Sequence, residues 1–348
     1  MTTRRAFLAG AGAAAVALPR VALAQPKPHI QTIRSTAKSW IWLAEDYATA
    51  AGFFARAGVD VAFTASGRGN NFPALAGSGI DIVLSDPGVT LPAVAQGFKA
   101  RTIVQTVDRY ASHVVVKASV LARAGVTEAS PAAAKFAALK GLRMATTGAG
   151  SAPDNLLRWL AVQGGLDPNT QMRLVGVQGG GPGMIAALQR DVIDGFCLSS
   201  PTSDLAVARA DCAYLFNMVT NPPPGMDPFC YIVASCAQRA LTENREALVR
   251  YCMGIALALR AMNDDRPTFK AFAVPYLELD PAIADAAFAA NGGIYFRDPT
   301  PNDGLFQRNI DFIDVSLKSQ DQPPLPASLG FADVYDTSIV AEALRRLT

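Results

Sequence analysis

Gly67-Arg68-Gly69-Asn70-Asn71-Phe72 opens a stretch that runs through Ala74-Leu75 and Ile80-Asp81 to Ser85-Asp86-Pro87. Gly179-Gly180-Gly181-Pro182 opens a second, which runs through Ala187-Leu188 and Ile193-Asp194 to Ser199-Ser200-Pro201. The Ala-Leu pairs and the Ile-Asp pairs both recur 113 residues apart. Each copy reads as a Gly-rich turn, a helix, a short apolar strand and a polar turn that starts another helix. Two such units predict two similar α/β lobes. Helix N-termini of both lobes facing one cleft would suit the capture of a small ligand.

Working outward, residues 30–33, 59–63, 80–84, 102–107 and 113–116 read as strands of the first part. Residues 142–146, 172–177 and 193–198 read as strands of the second. The first Gly-rich turn is expected to lead into a helix ending at residues 77–79. Pro87 suits the first turn of the next helix. From residue 243 the pattern is helical, broken by a Pro-rich loop at 322–326. Strands alternating with helices place the chain in the mixed α/β class.

Thr3-Arg4-Arg5-Ala6-Phe7-Leu8 resembles a twin-arginine export motif. An Ala/Gly-rich apolar stretch over 9–18 follows, too short to span a bilayer. Ala22-Leu23-Ala24 then predicts signal cleavage before Gln25, leaving a periplasmic protein of 324 residues. Three of the 31 basic residues lie in the signal, so the remainder carries a net charge of −1 against 29 acids. That balance gives no reason to expect nucleic acid or a membrane surface as a partner. A chain of this length is expected to form two lobes rather than one core.

The five cysteines, Cys197, Cys212, Cys230, Cys236 and Cys252, include no C-x-x-C pair, and His29 and His113 are far apart. Neither a metal nor a cofactor is expected. Cys197 and Cys252 read as buried thiols. Cys230 and Cys236 read either as inert thiols or as a disulfide.

Gly52-Phe53-Phe54, Ala57-Gly58-Val59 and Asp60-Val61 are similar to the opening of periplasmic substrate-binding proteins of the nitrate/sulfonate/taurine branch, which includes thiamine-pyrimidine binders. Leu139-Lys140-Gly141-Leu142-Arg143-Met144-Ala145 resembles that family's entry to its second lobe. Gly164-Gly165-Leu166-Asp167-Pro168 resembles the end of the helix that follows. The resemblance implies a two-lobed, type II Venus flytrap with mixed sheets and a hinge. Lobe I would take residues 25–115 and about 236–348, and lobe II about 116–235. It also implies a monomer that delivers a small molecule to an ABC permease and its ATPase, touching the membrane surface only transiently.

The family's pocket lies on turns of the kind found at 67–71, 85–87, 147–151 and 199–202. Helix N-termini there attract anions, glycine lets backbone approach a ligand, and hydroxyls donate or accept. Candidate ligand contacts are therefore Arg68, Gly69, Asn70, Ser85, Asp86, Thr147, Gly148, Ser151, Gly180 and Ser199. Plain helix capping is the alternative role of several of them. Ser35, Lys38, Ser39 and Trp40 follow the first strand, whose carboxyl end should face the cleft. Trp40 could stack on a ligand or anchor its helix in the core, and Phe72 and Tyr110 carry the same ambiguity. Lys38 and Arg68 would suit a sulfonate or carboxylate, and Asp86 an amine or ring N–H, although each is equally open to a surface role. Asp81 and Asp194 read as parts of the strand–turn structure. Residues 113–117 and 231–234 are the expected hinge.

These features point to a receptor for a small organic anion or zwitterion, of the sulfonate/taurine or aromatic carboxylate class, with no catalytic residues. A sensor that docks a receptor's outer domain is one alternative. An enzyme on the same fold, pyrimidine-forming or lyase-type, is another. The chain lacks the cysteine cluster of the pyrimidine synthases, and neither histidine falls in a candidate turn.

Overall fold

In a computed structural model the described residues are 27–77 and 79–348, so the export signal read at residues 1–24 lies outside them. The chain begins with β1 (His29–Arg34), α1 (Leu43–Ala50), α2 (Phe53–Ala57), β2 (Asp60–Ala65), β3 (Ile82–Ser85), α3 (Pro87–Ala95) and β4 (Ala100–Val107). It continues with β5 (Ser112–Lys117), α4 (Ala118–Ala124), α5 (Ala132–Ala137), β6 (Arg143–Thr146), α6 (Ala152–Gln163), β7 (Arg173–Gly176), α7 (Gly180–Gln189), β8 (Gly195–Ser199), α8 (Thr202–Arg209) and β9 (Cys212–Phe216). After β10 (Ile232–Ala237) it is helical: α9 (Ala240–Glu243), α10 (Arg245–Asp264), α11 (Arg266–Tyr276), α12 (Pro281–Asn291), α13 (Asp303–Lys318), α14 (Phe331–Val334) and α15 (Thr337–Arg345).

The strands form two five-stranded mixed sheets of matching plan. One runs β2-β1-β3-β10-β4 and the other β7-β6-β8-β5-β9. In each, three parallel strands are followed by one antiparallel strand, β10 or β5. The repeat in the sequence maps onto this plan. Asp81 and Asp194, just before β3 and β8, do the same work in the two sheets. Asp81 Oδ2 accepts from the backbone N–H of Gln31, and Asp194 Oδ2 from that of Arg143, each at 2.8 Å. The backbone N–H of each aspartate returns a bond to the same partner residue, again at 2.8 Å. Each carboxylate thus satisfies an N–H at the start of the adjacent strand that the ladder leaves unpaired.

β3 is buried along its whole length, as expected of a strand covered on both faces. The 20-residue α10 is the longest helix and turns Leu248, Tyr251, Ile255, Leu259 and Met262 into the core. Phe54 stacks on Tyr251 at 5.3 Å, and Gly254 makes room, since a Cβ there would lie 2.2 Å from the Phe54 ring. α13 packs against both α3 and α6, and its Ser316 donates to Asn155 of α6 at 2.8 Å.

Several expectations are corrected. The helix after the first Gly-rich turn is a single 3-10 turn, Phe72–Ala76, because the chain must reach Asp81 a few residues later. Residues 113–117 cannot serve as a hinge, because they lie inside β5 and are laddered to β8 and β9 on either side. The chain instead passes between the sheets at 108–111 and 217–231. These crossings are packed by Tyr110, Phe229 and Tyr231, with Phe312 of α13 against the first two. All five cysteines are free and buried. Cys230 and Cys236 sit at opposite ends of extended chain, roughly 20 Å apart by strand rise and out of reach of a disulfide. Strand β9 and helices α4 and α5 were not anticipated.

Candidate functional site

The carboxyl ends of β1, β3, β6 and β8 and the turns that follow them meet in one cavity of about 450 Å³ between the two sheets. Ser35, Lys38, Ser39, Gly69, Ser85 and Asp86 line it from the side of the first sheet. Thr147, Ser151, Gly180 and Ser199 line it from the side of the second. The two sides touch across the opening. Ser39 Oγ donates to the Ser200 carbonyl at 2.9 Å, and a Cβ on Gly69 would lie 2.8 Å from Ser151 Cβ.

Four expected contacts lie elsewhere. Trp40 is fully buried, packs on Phe288 at 5.9 Å, and accepts the Tyr295 hydroxyl on its carbonyl, so it anchors the core. Trp42, two residues on, lines the cavity instead, held by its indole N–H to Thr36 Oγ1 at 2.9 Å. Arg68 and Asn70 are exposed and off the wall, where Asn70 accepts from the Phe72 N–H. Gly148 is off the wall too, and its carbonyl accepts the Ser151 hydroxyl at 2.6 Å. Phe72 packs on Phe98, away from the cleft. Tyr110 is buried behind Tyr231, which is the tyrosine that reaches the cavity.

The charge at the site differs from expectation. Lys38 lines the cavity, but its ammonium is tied to Glu278 at 2.5 Å and lies over the Tyr276 ring. Asp86 is 8 % exposed, and no side chain among the described residues bonds to it. Burial pushes its carboxyl up to about 7, although the nearby backbone N–H groups of Gly88 and Val89 favour the charged form. Tyr231 and Ser112 share a hydroxyl bond of 2.6 Å, and Ser112 and Ser199 one of 3.2 Å, forming a chain of rotatable donors in the wall.

The loop after β1 is held from below by Arg34, whose guanidinium is fully buried. It donates to the Ala37 carbonyl at 2.7 Å, to Asp46 at 2.6 Å and to Glu45 at 3.3 Å, and lies 3.7 Å from the Phe63 ring centroid. One cation faces two carboxylates, and burial raises Glu45 to about 7. The role of Arg34 was missed, because a single arginine at a strand end carries no motif. Among the described residues no group of three or more His, Cys, Asp or Glu side chains is placed to hold a metal ion. Among them, too, no helix is long and apolar enough to cross a membrane.

Residues 47–274 match the model of the NMT1-like family. The chain belongs to the NMT1-like family. Its fold is that of solved periplasmic binding proteins. A protein from Bordetella bronchiseptica RB50 is 20% identical with a TM-score of 0.77, the match covering 92% of this chain and 98% of that one. The alkanesulfonate-binding protein SsuA from Xanthomonas axonopodis pv. citri, bound to MOPS, is 15% identical with a TM-score of 0.69, covering 89% and 98%. The periplasmic nitrate-binding protein NrtA from Synechocystis PCC 6803 is 15% identical with a TM-score of 0.67, covering 92% and 89%. Among curated proteins no sequence relative was found for this NMT1-like chain.

Proposed function

We propose that the protein is the extracytoplasmic solute-binding component of an ABC importer, and that it captures a small organic anion or zwitterion between its two lobes. The observation that carries this reading is the cavity itself, built by strand ends of two matched sheets that contact each other across it. A ligand there would be gripped from both sides and would hold the lobes together. The lining of hydroxyls, glycines and apolar side chains suits reversible capture, and no covalent step is assigned to any residue. Family membership and binding-protein neighbours support the same reading.

The contacts assigned are Ser35, Ser39, Gly69, Ser85, Asp86, Thr147, Ser151, Gly180 and Ser199, with Trp42 and Tyr231 added. In this reading the lobes divide at the crossings over 108–111 and 217–231, since β5 belongs to the second sheet and β10 to the first. The protein is exported by the twin-arginine route to the periplasm, acts as a monomer, and meets the permease and its ATPase only at the membrane surface. A thermal-shift screen against sulfonates, carboxylates, amino acids and pyrimidines tests it. A solute at 100 times its dissociation constant should stabilise the fold by about 2.7 kcal/mol. The reading requires that the solute be recovered unchanged. A solute that stabilises the protein but is consumed favours an enzyme on this fold.

A further inference from the structure

Lys38 and Asp86 are the only charged residues that line the cavity among the described residues. Glu278 neutralises Lys38 at the rim. Asp86 has no such partner. It stands on the first sheet's side, at the start of α3. Burial raises the hydroxyl pKa of Tyr110 and Tyr231, and the Asp86 charge adds to that rise. An ionised carboxylate buried without a counter-ion is costly, and a ligand cation would offset that cost.

The opposite wall has the other polarity. α7 starts from Gly179, Gly180 and Gly181, all in the lining, and its first turn carries no acid. α6 and α8 carry Asp154 and Asp204 in theirs. Those carboxylates are occupied, the first by Arg158 at 2.9 Å, the second by Ser200 and Tyr214. Gly179 and Gly180 have φ of 88° and 59°, and a Cβ on Gly181 would strike Thr202 Oγ1. Backbone therefore forms this wall directly, with the positive end of a ten-residue helix behind it.

Ile41, Trp42, Leu84, Leu198 and Ile232 supply the larger apolar side chains of the lining. A cavity of about 450 Å³ would be mostly unfilled by a bare inorganic anion. Resting on the receptor reading above, we propose that Asp86 is the specificity determinant of the cleft. It selects an amphoteric solute with an apolar body, a protonated nitrogen on Asp86 and an anionic end on the glycine turn before α7. A simple organic anion would leave Asp86 buried without a counter-charge, which disfavours it relative to its amine-bearing counterpart.

Titration calorimetry at pH 8 with 4-(aminomethyl)benzoate and 4-methylbenzoate tests this on the wild-type protein and on Asp86→Asn. The wild type should bind the aminomethyl compound at least about tenfold more tightly. In Asp86→Asn that preference should shrink to within about twofold, with 4-methylbenzoate bound as well as before or better. Should Asp86→Asn fail to fold, the wild-type preference alone decides. The proposal is overturned if 4-methylbenzoate binds the wild type as tightly as its partner, if the preference survives in the variant, or if neither probe binds. It is overturned too if the wider thermal-shift screen yields a solute without a basic nitrogen, a result that would leave the receptor reading intact.

Discussion

Asp86 and Asp194 show how one residue type serves two ends. Asp194 is a structural carboxylate, held below the usual range by hydrogen bonds from Arg143, with its side chain 19% exposed. Its stabilising effect is present above its unfolded pKa and lost as pH falls through the folded one. Asp194→Ala should cost about 1–3 kcal/mol in a denaturant melt, because it leaves the Arg143 N–H without its acceptor. Asp86 is shifted the other way, and its folded pKa of about 7 lies above the unfolded value. Its favourable contribution is therefore present below the unfolded pKa and lost as pH rises through about 7. Asp86→Asn should make the ligand-free protein more stable at pH 8, by roughly 2–4 kcal/mol. That gain should shrink toward pH 5, where Asp86 is protonated. A difference in melting temperature that does not change with pH would contradict this. Arg34 belongs to the same scale. Arg34→Met should lower stability by about 3–5 kcal/mol, since two carboxylates lose their only buried cation, and it should weaken ligand binding by freeing the loop at Ala37.

At the scale of elements, the parallel strands and their helices were legible because buried strands and amphipathic helices repeat with a clear period. The strand read at 142–146 is β6 to within one residue, and the chain after residue 243 is helical as read. The turns that end in the cavity were legible for the same reason, since glycine and serine clusters sit between periodic runs. What failed depended on the direction a side chain faces. Trp40 and Trp42 lie two residues apart, and only the tight 3-10 turn over Trp40–Trp42 decides which ring meets the cavity. Lys38 pairs with Glu278, 240 residues away, a contact that no local pattern announces. β9 was missed because Cys212–Phe216 is a short apolar run without the alternation that marks a half-buried strand. Gly254 offers a test at this scale. Gly254→Ala should cost about 1–3 kcal/mol, because the new methyl meets the Phe54 ring that stacks on Tyr251, and the loss should be visible as a lower thermal midpoint.

For the whole molecule, the proposed capture of a solute depends on the relation between the lobes. The two sides of the cleft touch at Ser39 and Ser200, and at Gly69 and Ser151, so a side chain at Gly69 should oppose closure without disturbing either sheet. Gly69→Val should keep the melting temperature of the ligand-free protein within a degree or so, yet weaken ligand binding by about tenfold or more. Small-angle scattering should show the variant remaining expanded at ligand concentrations that compact the wild type. The crossings at 108–111 and 217–231 are where the proposed closure would bend the chain. α13 spans both halves beside them, and its bond from Ser316 to Asn155 should be exchanged or strained as the lobes part. The central claim is that one cavity between the sheets holds the solute. A crystal structure with the strongest hit from the solute screen tests it most directly. The account predicts density for the intact solute between Asp86 and the Gly179–Gly181 turn, in contact with residues of both lobes. Density elsewhere on the protein, or a chemically altered solute in the cleft, would contradict it.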